Sequence, residues 1–306
     1  MKNIEINIGN ACNNACQFCM IEDEDSRAFV NFETIKQEIF LAKKQGFESI
    51  GFLGGEFTLH PQLMRILKLA KLLGFKIIHI ISNGRTYSNL DFLQQIVEAG
   101  ANRFSVSIHS HLPAVEDTLT QRPGGFLEKI AGLKNLLALQ QQGIIKQSIC
   151  LNFVINALNY QELIASLRYF YDLGVRDFRL NFVWLFGRAQ KYPQLVLSYA
   201  QFLPELDKVI AFSQTTGANI SFEGIPACLV KNPDKLKYLG ELKDLPTEVV
   251  AYNNTLGQRD NFNWQERKKN EFKIKHQACS ACQWYNICDG VWKSYIDHFG
   301  WSEFKF

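Results

Sequence analysis

Six short β-rich runs alternate with amphipathic stretches between residue 2 and about residue 184, and this alternation limits the fold more than any other feature. The runs are 4–9, 49–55, 76–82, 103–109, 148–155 and 177–185. The segments between them carry helix signals: Asn31 as a cap for 32–45, Pro61 in a first turn, and a glycine after the apolar-periodic stretch at 74, 100, 143 and 174. The pattern predicts an α/β protein with six βα units and a parallel sheet.

Six units joined by right-handed crossovers can curl into an open barrel, a partial (β/α)6 form of the TIM type. Chemistry in such a barrel lies at the carboxyl ends of the strands, and a cysteine cluster begins three residues after the first run. Several strands also alternate polar with apolar side chains. The polar sets are Ser105, Ser107 and His109; Cys150, Asn152 and Asn156; and Arg179 and Asn181. A polar ligand in the barrel lumen would supply hydrogen-bond partners for them.

The repeat ends after residue 185. A helix is expected at 199–215, near Pro204, followed by a strand at 218–226 and then by a loop-rich stretch. We therefore predict two parts, a barrel at 1–225 and a small cysteine-rich C-terminal module at 226–306.

Charge and hydropathy exclude several classes of protein. The net charge of +3 is too small to indicate nucleic-acid binding, and the basic run 266–276 mixes signs as a solvated face does. No export signal and no apolar stretch of 18 residues is present, so we expect a cytoplasmic protein without membrane contact. Thiols stay reduced in the cytoplasm, and eight cysteines with tight spacings therefore predict metal or redox chemistry.

The first cluster is Cys12, Cys16 and Cys19. Soft thiolates from one loop select an iron–sulfur cluster, zinc or copper(I). A structural zinc site would need a fourth Cys or His, and residues 20–59 contain neither.

Three sequence stretches carry a resemblance to a known family. "CNNACQFC" resembles the CxxxCxΦC motif of the radical S-adenosylmethionine (radical SAM) enzymes, and "FLGGEFTLHP" at 52–61 resembles the GGE motif of that superfamily. "SIHSHLPAVEDTLTQRPGGF" at 107–126 is similar to its fourth-strand segment. The resemblance covers residues 1–225.

The resemblance implies that Cys12, Cys16 and Cys19 ligate three irons of a 4Fe-4S cluster, whose fourth iron binds S-adenosylmethionine (SAM). Reductive cleavage of SAM would then yield a 5′-deoxyadenosyl radical that abstracts a substrate hydrogen. The residues that match the GGE motif are Gly54, Gly55 and Glu56, with Glu56 bonding the SAM amino group. Weaker candidates for the SAM pocket follow from strand ends alone and compete with a purely structural role. They are Ser82, Asn83, Ser107 and Asn156, and a structural role is also expected for His109.

The second cluster is Cys279, Cys282 and Cys288, with Cys228 upstream as the least secure member. Four thiols can complete a second 4Fe-4S cluster without an external ligand, and a zinc knuckle is the alternative. The tail resembles the auxiliary-cluster modules of the SPASM and twitch type but has four cysteines where SPASM modules have about seven. We therefore expect one auxiliary cluster. Without Cys228, that cluster would have an open iron.

Cys150 remains outside both clusters. It could donate a hydrogen atom to a substrate radical, as thiols do in radical SAM epimerases, or simply pack in an apolar strand.

The main functional hypothesis is a radical SAM maturase that modifies a ribosomally made precursor peptide (RiPP maturation) by crosslinking, epimerisation or splicease-type excision. The alternatives are a radical SAM enzyme acting on a small metabolite and, in another class, a non-catalytic metal-stabilised binding protein. Expected partners are the precursor peptide, a separate leader-peptide recognition protein, and an electron donor such as flavodoxin or ferredoxin. Nucleic acid is not expected.

Overall fold

The computed structural model describes residues 1–21, 27–230, 232–242, 246–253 and 258–304. The strands are β1 Asn3–Asn7, β2 Ser49–Leu53, β3 Ile77–Ser82, β4 Arg103–Ser107, β5 Ile149–Ile155, β6 Asp177–Phe182, β7 Asn219–Glu223, β8 Thr247–Asn253, β9 Gln258–Asn263, β10 Lys273–Ile274 and β11 Val291–Trp292. The helices are α1 Phe32–Lys44, α2 Leu63–Leu72, α3 Leu90–Ala99, α4 Pro113–Thr120, α5 Gly125–Gln141, α6 Leu163–Leu173, α7 Tyr199–Thr216, α8 Trp264–Arg267 and α9 Lys293–Phe299.

One mixed sheet dominates the described part of the chain, with strand order β7-β6-β5-β4-β3-β2-β1-β8-β9. All its neighbouring pairs are parallel except β8 and β9. The order is linear, with α1 to α7 between the strands, and the predicted partial barrel is confirmed. All six predicted strands form.

The helix signals act as the sequence predicts at most positions. The Asn31 side chain accepts from the Thr34 amide and starts α1. Pro61 differs, because it lies in the turn ahead of α2 rather than inside its first turn. The expected helix at 199–215 is α7, which a Ser198 capping box starts.

The two faces of the barrel sheet have different chemistry. Strand residues such as Ile6, Phe52 and Leu151 are fully buried and pack with the helices in one apolar core. The alternate residues are half-buried and mostly polar, and we call their face the inner wall. Arg179 and Asn152 are register partners on this wall.

The tail, residues 226–306, extends the barrel sheet. Its strand β8 pairs in parallel with β1, with Ile4 opposite Glu248, and its Leu239 forms a bridge with Phe222 of β7. No helix in the described ranges is long and apolar enough to cross a membrane.

Candidate functional site

The first three cysteines lie in the thiol loop, residues 9–20, which leaves the carboxyl end of β1. All three are partly buried. The loop backbone is bonded to segments on every side. The bonds run from Asn10 N to Ala28 O (3.0 Å), from Gly55 N to Gly9 O (2.8 Å), from Glu56 N to Ala11 O (2.8 Å), from Ala15 N to Thr120 O (3.1 Å), from Gln17 N to Leu119 O (2.9 Å) and from Arg188 N to Cys19 O (2.9 Å). The loop conformation is therefore held by the surrounding barrel ends.

The thiols of this loop are close enough to influence one another. Burial raises the pKa of Cys16 to about 12, against the opposing effect of Lys129, and the Cys12 and Cys19 thiols raise it further. Burial also raises the pKa of Cys12, whose sulfur accepts a bond from Asn14 N at 3.4 Å. Because metals bind thiolates, loading this loop with metal must release protons.

Gly54 and Gly55 allow the thiol loop to approach β2. A Cβ on Gly55 would lie 2.1 Å from Ala11 O, and one on Gly54 would lie 2.3 Å from Gly9 O. The φ of Gly54 is +132°, which L residues rarely adopt. The backbone that these two glycines admit is therefore that of the thiol loop.

The Glu56 carboxylate is 1% exposed and accepts four hydrogen bonds from the chain. Oε1 accepts from Thr58 N (3.1 Å), Thr58 Oγ1 (2.7 Å) and Ser82 Oγ (2.8 Å), while Oε2 accepts from Asn83 N (2.7 Å). A carboxylate offers about four lone-pair sites, two on each oxygen. Among the residues that the structure describes, Oε2 accepts only the bond from Asn83 N, so one of its two lone-pair sites is left for a further donor. Glu56 thus joins the ends of β2 and β3, and a ligand amine could reach only Oε2.

Two arginines that the sequence argument missed support the loop. Arg85 is 7% exposed and its Nη1 donates to Asn13 O at 2.8 Å and to Asn14 Oδ1 at 3.0 Å. Arg188 is 5% exposed and its Nη1 donates to Cys16 O at 3.2 Å. Both follow strand ends by a few residues, which was the one signal available in the sequence.

A buried ion pair beside the thiol loop joins Glu116 of the fourth-strand segment to Lys129 of α5. Lys129 Nζ lies 2.5 Å from Glu116 Oε1, and the two side chains are 1% and 0% exposed. Glu116 Oε2 accepts from His109 N at 2.7 Å. Burial lowers the pKa of His109, and its ring lies 4.5 Å from that of Phe18. His109 is therefore a packed neutral residue here, in line with the structural interpretation.

Asn83 and Asn156 have contrasting surroundings. Asn83 Nδ2 donates to Asn13 Oδ1 at 2.7 Å, so this side chain contacts the thiol loop. Asn156 is fully buried in a turn, donates to Val154 O at 3.1 Å and accepts from Leu158 N at 3.0 Å. The geometry at Asn156 favours the structural alternative over a ligand contact.

Ser107 and Cys150 both lie on the inner wall and are partly buried. Burial raises the pKa of Cys150, against the opposing effect of Arg179. Burial lowers the pKa of His79 to about 3, and its neutral ring lies 2.9 Å from Ser105 Oγ. Cys150 is the second residue of β5 and precedes Asn152 on that strand. Because the thiol loop lies at the carboxyl ends of the strands, Cys150 is further from the thiol loop than Asn152 is.

The four tail cysteines line one small pocket, together with Ile274, Val291 and Trp301. Burial and the three neighbouring thiols raise the pKa of Cys228 to about 12. Gly290 N donates to Cys288 Sγ at 3.4 Å. The structure thus brings the distant Cys228 to the other three.

No group of three or more His, Cys, Asp or Glu side chains within the described residues is arranged to hold a single metal ion.

Aromatic and ionic contacts connect the tail with the carboxyl end of the barrel. Trp292 stacks on Trp184 at 4.6 Å, and Phe272 lies 4.8 Å from Trp184. Lys268 of the tail, 1% exposed, pairs with Glu223 of β7. Trp184 is followed four residues later by Arg188, which donates hydrogen bonds to the thiol loop. The tail therefore packs against the same segment that holds the thiol loop.

Residues 6–187, more than half of the chain, match the sequence profile of the Radical SAM superfamily. A probable GTP 3',8-cyclase of Saccharolobus solfataricus is 29% identical over 186 residues, which are 59% of this chain and 56% of that protein. The chain thus spans little more than half the length of this curated relative.

Two solved structures share the fold over most of this chain. Streptococcus suis SuiB bound to its precursor peptide SuiA has a TM-score of 0.64 at 15% identity, covering 94% of this chain and 71% of that one. anSMEcpe with bound AdoMet and the Kp18Cys peptide has a TM-score of 0.67 at 13% identity, covering 95% and 89%.

Proposed function

Because this chain belongs to the radical SAM superfamily, we propose that it abstracts hydrogen from a ribosomally made precursor peptide. Radical SAM enzymes use a 4Fe-4S cluster and SAM, whose reductive cleavage supplies the radical for hydrogen abstraction. The proposed outcomes remain a crosslink, an epimerisation or an excision of backbone.

The thiol loop fits the first cluster. Cys12, Cys16 and Cys19 are the proposed ligands of three irons, because their thiols are close enough to influence one another's pKa and they lie within the part of the chain that matches the superfamily. The bond from Asn14 N to Cys12 Sγ would stabilise a thiolate. The arrangement leaves one iron for SAM.

The proposed SAM pocket lies beside this loop. Glu56, through the free position of Oε2, is the proposed acceptor for the SAM amino group, and Ser82 and Asn83 hold that carboxylate in place. Gly54 and Gly55 act by admitting the thiol loop. Ser107 remains a candidate on the inner wall.

The tail is proposed to hold one auxiliary 4Fe-4S cluster on Cys228, Cys279, Cys282 and Cys288. The shared pocket and the mutual influence of the thiols support all four as ligands, including Cys228. An iron–sulfur cluster is proposed in preference to zinc because the chain belongs to a superfamily that already uses one such cluster.

The observation that carries the peptide proposal is the docking of the tail on both edges of the barrel sheet, at β1 and at Phe222 of β7. SuiB and anSMEcpe, which share the fold over 94% and 95% of this chain, have structures with bound peptides. Proposed partners are therefore a precursor peptide, a leader-recognition protein and a flavodoxin or ferredoxin.

A small metabolite is the second candidate. The relative named a probable GTP 3',8-cyclase favours it, although that match covers 59% of the chain.

The test is anaerobic reconstitution followed by iron analysis and assay for 5′-deoxyadenosine, with peptides encoded beside the gene and with GTP as substrates. We expect about eight irons per chain and formation of 5′-deoxyadenosine by the wild type. We also expect a mass change or deuterium exchange on one of the peptides. Cys288→Ala should lower the iron count, whereas Cys150→Ala should keep it. A product from GTP together with unchanged peptides would replace the first candidate by the second, and about four irons in the wild type would refute the two-cluster proposal.

A further inference from the structure

Two carboxamides on the inner wall, Asn152 of β5 and Asn181 of β6, have no role in the proposed cluster or SAM sites. Both side chains are half-buried. Asn152 lies three residues before Ile155, the last residue of β5, which places it about 10 Å inside the lumen from the strand end at 3.3 Å per residue. A substrate that enters the lumen from the thiol-loop end would meet this pair.

The orientation of both amides follows from their contacts. Asn181 Nδ2 donates to Asn152 Oδ1 at 2.6 Å and lies 3.5 Å from the Phe153 carbonyl oxygen. Because a carbonyl oxygen only accepts, this contact favours the orientation in which the nitrogen of Asn181 faces Phe153. Asn152 therefore points its oxygen at Asn181, and its amino group is directed elsewhere.

One donor and one acceptor remain on this pair. In the part of the chain that the structure describes, neither Asn152 Nδ2 nor Asn181 Oδ1 has a hydrogen-bond partner among protein groups. An extended peptide residue directs its own N–H and C=O to the same side, as in a β ladder. Its carbonyl can accept from Asn152 Nδ2 while its N–H donates to Asn181 Oδ1.

Ion pairs cross the inner wall beside this pair of carboxamides. Arg179, the register partner of Asn152, lies two residues before Asn181 on the same face, and its Nη2 is 3.5 Å from Glu223 Oε2. Glu223 is in turn paired with the buried Lys268 of the tail. The wall that presents the two carboxamides is thus built jointly by the barrel and the tail.

We propose that Asn152 and Asn181 bind the backbone C=O and N–H of one extended substrate residue and so set which residue is presented for hydrogen abstraction. This assignment rests on the proposed peptide function, which it deepens by naming the group that is recognised. Recognition of backbone rather than of a side chain would leave the modified residue to be chosen by its position in the peptide.

The decisive variant is Asn152→Asp, tested in the reconstituted enzyme with the peptide that the wild type modifies. It keeps an acceptor for Asn181 but replaces the outward N–H by a carboxylate oxygen, which repels a carbonyl. We expect the KM for the peptide to rise about ten- to hundredfold, as loss of one buried hydrogen bond does. SAM affinity and peptide-free 5′-deoxyadenosine formation should stay within about twofold. The matched control is Asn270→Asp, the same chemical change on an exposed carboxamide.

A second measurement tests the other half of the pair. The peptide is scanned by methylating one backbone nitrogen at a time. Methylation at one position should raise the KM of the wild type for the peptide, whereas the same methylation should not raise the KM of Asn181→Leu any further. The reason is that the lost N–H of the peptide and the lost acceptor of Asn181 belong to the same hydrogen bond. This coupling does not depend on the folding of Asn152→Asp.

The outcomes separate the inference from the function it rests on. A modified peptide with an unchanged KM in Asn152→Asp overturns the inference alone, as does a variant that loses SAM affinity instead. If the wild type modifies no peptide, the proposed function fails and this assignment fails with it.

Discussion

The buried pair of Glu116 and Lys129 should be the most sensitive ionic contact of the barrel. Lys129→Met leaves Glu116, at 0% exposure, without its partner at 2.5 Å, and removes the bond from Nζ to Ser107 O at 2.9 Å. Breaking one side of such a pair costs about 3–5 kcal/mol, because an uncompensated charge stays buried. A domain is stable by only about 5–15 kcal/mol, so this single change should remove a large share of the free energy of unfolding.

Breaking the Glu116–Lys129 pair should also disturb the thiol loop. Glu116 belongs to α4, whose last carbonyls, Leu119 O and Thr120 O, accept bonds from Gln17 N and Ala15 N of that loop. A shifted α4 would withdraw two of the backbone bonds that position the thiols. We therefore expect Lys129→Met to lower the iron content of the reconstituted protein as well as its stability.

The assay is urea unfolding followed by circular dichroism, with iron analysis on the same samples. Glu116→Gln combined with Lys129→Met should recover most of the loss, since no charge then remains buried. The control Lys36→Met breaks an exposed pair with Glu33 and should change the free energy of unfolding by less than about 1 kcal/mol.

A loss below about 1 kcal/mol for Lys129→Met at pH 7, or no recovery of stability in the double variant, would contradict this account of the buried pair.

Two further changes have defined outcomes. Gly55→Ala puts a Cβ 2.1 Å from Ala11 O and should abolish iron binding by the thiol loop while the tail keeps its iron. Gly143→Ala has no atom within 4 Å of the added carbon but is strained by its φ of +72°, so it should lose some stability and still bind iron normally by the same analysis. Burial raises the pKa of Glu38, but hydrogen bonds from Arg259 and Tyr252 outweigh it and hold that pKa below its ordinary value. The stability that the Glu38–Arg259 pair contributes is thus present above about pH 4.3. It is lost as the pH falls through the pKa of Glu38 in the folded protein. Arg259→Met should cost about 1 kcal/mol at pH 7 in urea unfolding and less at pH 3.5, and an equal cost at both values would contradict this account.

The parts of the fold that sequence could predict are those with local causes. The six strands have β-rich runs, and Asn31 caps α1 by a bond to a residue three positions later. The pairing of β8 with β1 joins residues about 240 positions apart, and Thr247 opposite Asn3 leaves no periodic signal in either segment. A boundary drawn at residue 225, where the βα repeat has given way to a loop-rich stretch, therefore separates strands that share one sheet.

The candidate site shows the same limit. Motif spacing was enough to name Cys12, Cys16 and Cys19, because three thiols in one loop must lie near each other. The groups that bond Glu56 come from elements whose contact depends on the whole barrel, as does the reach of Arg85 to Asn13 O. The role of such side chains can be recognised only from the three-dimensional structure, in which the strand ends lie next to one another.

The tail completes the barrel rather than merely following it. An open sheet exposes two edges, and edge strands present unpaired backbone groups. Here β8 covers the β1 edge, Leu239 bridges to Phe222 at the β7 edge, and Lys268 neutralises Glu223 beside that bridge. Strand β1 also delivers the thiol loop, so the same strand carries the first cysteine set on one end and the tail along its side. The tail, which carries the second cysteine set, is thus bonded to the sheet that carries the first, and the wall proposed to bind the peptide lies between the two edges that the tail covers.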